Sequence, residues 1–218
     1  MVSPTLALVP TPLERRRLGA LEARAAGDPA VVLTTCGFGP VAAAARTASL
    51  LAAHAPARVL LVGIAGTYDP GVLALGAATT FAEVAQADLG AGRGDGFRSS
   101  ADLGLPQWAG EPGDGTPAEP VHDRLPLTPG PDPAPLLVTA ATASGDAAHA
   151  AERAAAHAGA AAEDMEAFGV ALACHLAGVP LTVVRGISNR AGDRDHARWV
   201  LVDALAAAEA LALALLDR

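Results

Sequence analysis

Residues 58–64 read RVLLVGI, six consecutive apolar or glycine positions behind one arginine. A strand with one wet face alternates apolar and polar residues, because successive side chains point to opposite sides. A run without alternation is buried on both faces, the condition of a sheet covered by helices above and below. Residues 6–9 (LALV) and 181–184 (LTVV) share this character. Val31–Thr35, residues 78–84 and the stretch PLLVTAAT at 135–142 are further strand candidates.

Helical segments lie between these runs. Thr11-Pro12 precedes LERRRLGALEARAA, and threonine caps a helix while proline suits its first position. Residues 41–54 are alanine-rich, Ser144-Gly145-Asp146 opens a helix through His157, and residues 164–177 and 198–216 complete the set. Strands alternating with helices predict an α/β domain. In such folds ligands collect at the carboxyl ends of the strands. Those ends here are CGFGP, GIAGTYDPG, TASGD and RGISN.

The chain of 218 residues suits a single domain, 1–218. Residues 106–135 carry nine of its 17 prolines and read as a surface excursion within it. Aromatic residues are only 3%, so the core is expected to be built from alanine, valine and leucine. All 15 basic residues are arginine, which excludes Schiff-base chemistry and a phosphate-binding P-loop, since both need lysine. A net charge of −8 argues against nucleic acid as a partner. No apolar run is long enough for a bilayer, so no membrane association is expected, and the first residues lack the pattern of a secretory signal. Cys36 and Cys174 are isolated, which fits a reduced cytoplasmic setting and no structural zinc.

Several residues could carry chemistry. Glu14 sits in the first helical turn after a strand end; it is either an acid favoured by the helix dipole or a rim carboxylate that activates water. The stretch EDME (163–166) is read as the start of an apolar helix, where Glu163 and Asp164 would again serve the dipole. Glu166 begins the i, i+3, i+4 pattern with Gly169 and Val170, so it is expected to face inward and need polar partners. Cys36 and the histidines 149, 157, 175 and 196 read as packing or surface residues. In RGISNRAGDRDHARW (185–199) the alternating Arg190, Asp193, Arg194, Asp195 and Arg198 suggest mutual salt bridges. Asn189 presents a donor beside an acceptor, which matches the amide-like edge of a 6-oxopurine.

CGFGPVAAA, GIAG, SGDA, EDMEAFGVA and VRGISNRAGDRD, in this order, resemble the nucleoside phosphorylase/nucleosidase family. ADLGAGRGDGF (87–97) and SNRAGDRDHARW (188–199) look like its menaquinone-pathway branch. The resemblance implies a three-layer α/β/α fold with a central twisted mixed sheet, a homo-oligomer, and cleavage of an N-ribosidic bond by water. The implied ligand is a small purine nucleoside, with no metal or organic cofactor. Glu14, Arg185 and Asn189 fall at catalytic positions. Ala65, Gly66, Asp164, Met165 and Glu166 fall at substrate-binding ones, Met165 and Glu166 where the family holds the ribose. Adenine-specific members carry aspartate at the position of Asn189, which moves the expectation from adenine to hypoxanthine. They also carry an aromatic residue where this chain has Ala148, leaving Phe97 or Phe168 to stack on the base. Asp193 or Asp195 could supply the proton that asparagine cannot. The rivals are a phosphorylase or an adenine-type nucleosidase on the same fold, and a nucleoside-binding protein without activity.

Overall fold

A computed structural model of the chain describes residues 3–110, 113 and 119–218. The strands are β1 (Thr5–Val9), β2 (Val31–Thr35), β3 (Arg58–Thr67), β4 (Ala78–Gln86), β5 (Gly90–Ala91), β6 (Arg98–Ser99), β7 (Arg124–Pro126), β8 (Ala134–Thr139), β9 (Ala160–Asp164) and β10 (Leu181–Arg190). The α-helices are α1 (Pro12–Arg15), α2 (Gly19–Gly27), α3 (Pro40–His54), α4 (Ala147–Ala156), α5 (Ala167–Leu176) and α6 (Leu201–Leu216). Among the described residues no helix is long and apolar enough to cross a membrane.

The continuous apolar runs have the cause expected of them. In β1, Leu6 and Leu8 enter one core cluster and Ala7 and Val9 another. In β3, Val59 and Leu61 join the first cluster and Leu60 and Val62 the second. The first cluster holds α3 and α5 through Leu50, Leu51, Phe168 and Val170; the second holds α2 and α6 through Leu21, Leu205 and Ala208. Both faces of one mixed sheet are thus dry, with helices on each side, as an α/β/α arrangement requires.

The order β2-β1-β3-β10 is parallel throughout. β10 continues antiparallel into β4, β4 runs parallel to β8, and β8 parallel to β9. β9 then returns antiparallel to β3, so β3, β10, β4, β8 and β9 close into a ring. That last pairing involves only Gly66 with Glu163 and Thr67 with Ala162, and it carries the end of β9 across the end of β3.

Three expectations are corrected. Residues 13–26 are not one helix: the chain turns between α1 and α2, and fully buried Leu18 drops into the core there. Residues 164–166 do not begin a helix, because Glu163 and Asp164 end strand β9 and α5 starts at Ala167. The proline-rich excursion carries strand order where it is described: β7 pairs with β4, and Val121 and Leu125 are buried. Residues 111, 112 and 114–118 of it lie outside the described residues.

Gly186 shows how closely α6 lies on the sheet. A Cβ there would stand 1.9 Å from the carbonyl oxygen of Ala204. Gly186→Ala is therefore expected to destabilise the protein by about 1–3 kcal/mol or more through overpacking. Gly19→Ala, in open space at a helix start, is expected to be near neutral. Urea unfolding midpoints of the two variants check this.

Candidate active site

A cavity of about 280 Å³ opens where the ends of β1, β3, β9 and β10 meet. Glu14, Ala65, Gly66, Asp164, Met165, Glu166 and Asn189 all line it. Seven of the eight residues singled out in the sequence therefore converge. The eighth, Arg185, is fully buried and does not reach the cavity surface; it lies behind the carboxylates.

Glu14 is fixed from two directions. Its Oε2 accepts from the Thr11 backbone N–H (3.1 Å) and hydroxyl (2.6 Å), while Thr11 Oγ1 accepts from Glu14 N–H. This is a capping box around α1. Its Oε1 accepts from Ile64 N–H (3.2 Å) at the end of β3. The two readings of Glu14 are thus compatible: it completes a helix start and still faces the cavity.

Arg185 grips Asp164 through Nε (3.1 Å) and Nη2 (2.6 Å), both to Oδ2, which also accepts from Ala167 N–H at the start of α5. Asp164 Oδ1 accepts from the Thr139 hydroxyl (2.6 Å), and Thr139 Oγ1 in turn accepts from Phe168 N–H. Both oxygens of Asp164 are thereby engaged by protein, although its residue borders the cavity. Arg185 Nη2 also stands 3.9 Å from Glu166 Oε2. Arg185 Nη1 is buried without a hydrogen-bond partner among the described residues. A Cβ at Gly63 would lie 2.6 Å from this Nη1 and 2.8 Å from Glu14 Oε1, so glycine here lets the cation and Glu14 approach one another.

Glu166 precedes α5 and accepts from Gly39 N–H (3.0 Å) in the CGFGP turn. Gly37 and Gly39 adopt φ of 99° and 82°, which glycine accommodates without strain. Burial pushes the Glu166 carboxyl up to about 7; nearby Asp164 adds to the rise, and Arg185 and the Gly39 N–H oppose it. Cys36, at the same turn, is buried and its thiol is pushed up to about 12, consistent with a packing role.

Asn189 follows an irregularity in β10, where the register with β3 shifts between Ile187 and Asn189. Its Oδ1 accepts from the Ser188 hydroxyl (2.8 Å) and its Nδ2 donates to Arg190 O (2.9 Å). These bonds hold the amide plane while leaving one lone pair and one N–H for a ligand.

Glu163 also borders the cavity, held by Ser144 N–H and hydroxyl, the Tyr68 hydroxyl and Arg153 Nη1 (3.0 Å). Its acid charge is answered by a buried cation and fixes the 142–146 turn.

Other expectations fail. Phe168 is a core residue of α5, and neither it nor Phe97 lines the cavity. The aromatic surfaces there are Phe38, Trp199 and His196. Asp193 and Asp195 are absent from the lining and are spent on their own loop. His196, read as a surface or packing residue, does border the cavity. Phe38 lay in plain view between two glycines of CGFGP, where a large apolar residue has no core to enter; it is 65% exposed.

The phosphorylase superfamily model matches residues 7–218. A futalosine hydrolase of Streptomyces coelicolor is 40% identical over 180 residues, covering 80% of this chain and 74% of that one. A futalosine hydrolase of Thermus thermophilus is 34% identical over 216 residues, 95% and 90% of the two chains. Among solved structures, a 5′-methylthioadenosine/S-adenosylhomocysteine nucleosidase from Helicobacter pylori aligns with a TM-score of 0.75 at 17% identity, covering 100% of this chain and 99% of that one. The futalosine hydrolase of the same organism aligns with a TM-score of 0.74 at 16% identity, covering 100% and 98%.

The raised Glu166 value has a consequence for stability. The folded chain holds a proton on Glu166 at pH values where an unfolded glutamate, near 4.5, has lost it. Stability from this group is present below about 4.5 and is lost as pH rises through about 7. Glu166→Gln removes that dependence while keeping an acceptor for Gly39. Relative to the variant, the wild type is expected to lose on the order of 3 kcal/mol across this window. Thermal unfolding of both proteins at several pH values measures the difference in slope.

Proposed function

The chain belongs to the phosphorylase superfamily, and from that premise we propose that it hydrolyses the N-ribosidic bond of futalosine and releases hypoxanthine. The observation that carries this reading is the similarity to curated futalosine hydrolases over most of both chains, 34% identity across 95% of this one. The cavity supports it, since a purine nucleoside needs sugar-facing carboxylates and a base-facing amide, and Glu14, Glu166 and Asn189 provide them.

The chemistry follows from charge development. As the bond to the base breaks, the sugar becomes oxocarbenium-like and the base gains electron density. Glu166 accepts hydrogen bonds from the ribose hydroxyls and fixes the reacting carbon in place. Glu14 accepts a proton from the attacking water; a positioned base contributes about 10²–10⁴-fold. Arg185 acts from behind the cavity as a positioning cation: it holds Asp164, and through it the start of α5 and Glu166. Asn189 donates to or accepts from the 6-oxopurine edge with an amide already oriented by Ser188 and Arg190.

We place this activity in cytoplasmic menaquinone biosynthesis, with the chain in a homo-oligomer. Exposed Leu13 and Phe38 at the cavity, with Val41 close by in sequence, give a second copy an apolar surface to cover.

Incubation with futalosine, inosine and methylthioadenosine, with and without phosphate, tests the assignment. Hypoxanthine release from futalosine without phosphate is expected. Strict phosphate dependence indicates a phosphorylase, adenine as the preferred product an adenine-type nucleosidase, and tight binding without release an inactive binder. Glu14→Gln keeps the capping acceptor but removes the base, so kcat is expected to fall by about 10² or more while substrate affinity is retained. Single-turnover rates and equilibrium binding on the same variant separate the two effects.

A further inference from the structure

The loop after β10 uses its aspartates on itself. Asp193 Oδ1 accepts from Asp195 N–H (3.0 Å) and Arg198 Nη2 (2.9 Å), and Asp193 O accepts from the Trp199 indole N–H (3.0 Å). Asp195 caps the Ala197 N–H and faces Arg198 Nε at 3.4 Å. Arg194 is left out of this pairing. Among the described residues it has no carboxylate partner, and its guanidinium carbon lies 5.4 Å from the centroid of the Trp199 ring. The His196 ring is tilted against the same indole with centroids 4.5 Å apart.

Arg194, His196 and Trp199 line the cavity, and Arg194 also lines an adjoining surface hollow with Arg190 and Ala147. It therefore stands between the cavity and the outside. Among the described residues that line the cavity, Arg194 alone carries a fixed positive charge. Of the four acids there, Asp164 and Glu163 are already neutralised by Arg185 and Arg153. Glu166 stands 3.9 Å from Arg185 Nη2 and Glu14 is held by Thr11 and Ile64, so the described lining at the inner end offers an anionic group no free cation. Among the described lining residues, a negative charge on a ligand thus finds its fixed counter-charge at Arg194.

We infer that Arg194 and Trp199 form a subsite for an aryl carboxylate carried by the nucleoside. The indole and the His196 ring receive the aromatic portion, and the guanidinium receives the carboxylate. A planar fork resting on an aromatic face suits that pairing better than an ammonium does. The inference rests on the nucleosidase reading above and deepens it, because it makes the acidic substituent, as well as the purine, a determinant of substrate choice.

The test compares futalosine, whose sugar end bears an aryl carboxylate, with its methyl ester. Wild type, Arg194→Met and Arg194→Lys are assayed by purine release. Wild type is expected to favour the acid in kcat/KM by about ten- to hundredfold, the worth of one charged hydrogen bond, with the difference in KM. Arg194→Met brings the ratio to within about twofold, and Arg194→Lys leaves it intermediate because the charge stays but the fork is lost. A wild-type ratio near unity, or a ratio undiminished in Arg194→Met, overturns the subsite and leaves the nucleosidase reading standing. Failure of wild type to release purine from either compound overturns that reading and the subsite with it. Arg194 is exposed, so the methionine variant disturbs no core, and matching thermal unfolding of the variants verifies this.

Discussion

A guanidinium with no access to water sits at the centre of this molecule. Burying the Arg185 charge is costly unless paired acids and hydrogen bonds offset the lost hydration. The surroundings meet that demand in order of distance: Asp164 in direct contact, Glu166 at the edge of reach, and Glu14 across the space that Gly63 leaves open. Asp164 also binds the Thr139 hydroxyl and the first N–H of α5. The ends of β8 and β9, the middle of β10 and the start of α5 therefore share one polar knot. The cavity is the wet side of that knot.

The same arrangement sorts four neighbouring carboxylates. Asp164 and Glu163 each have a buried arginine and are saturated by protein donors. Glu14 and Glu166 are held by backbone N–H groups, which orient them without exhausting their oxygens. Environment rather than residue type separates structural acids from those available to a ligand. Glu166 shows the cost of that position, since desolvation lifts its proton affinity toward neutrality.

Much of the architecture was legible because burial on both faces leaves a plain mark, an apolar run without alternation. β1, β3 and the first part of β10 carry it. β9 was hidden: Ala160–Asp164 lacks β-branched residues, and five residues of alanine and acid resemble a helix start more than a strand. Only tertiary pairing with β3 and β8 makes it one. The break after α1 was equally invisible, since the pattern through residue 26 is helical and Leu18 leaves it only to reach the core. For the site, the strand ends were legible because ligand position follows from topology, whereas Ala65, Gly66, Asp164, Met165 and Arg185 were placed there by the family resemblance alone. Phe38 and Trp199 were passed over, and Arg194 and His196 misjudged, because loop side chains obey no period. The charge alternation of 190–198 suggested mutual salt bridges, whereas the described ion pairs there join Arg198 to Asp193 and Asp195 and leave Arg194 outside them.

The closure of the ring through β3 and β10 has a bearing on how the chain comes into being. Ser188 meets Ala65 across 123 positions of sequence, and Arg185 lies beside Gly63 on the same pair of strands. A ribosome delivering residues in order exposes Glu14 and β3 long before the arginine that neutralises their surroundings emerges. Asp164 and Glu166 arrive next, while Glu163 already has Arg153 ahead of it, so the nascent chain gathers acids before their central cation. Long-range pairing of this kind is slow to form. Until β10 docks, mutual repulsion among these carboxylates works against premature closure of the ring, and the last strand to be made is the one that permits the pocket to exist.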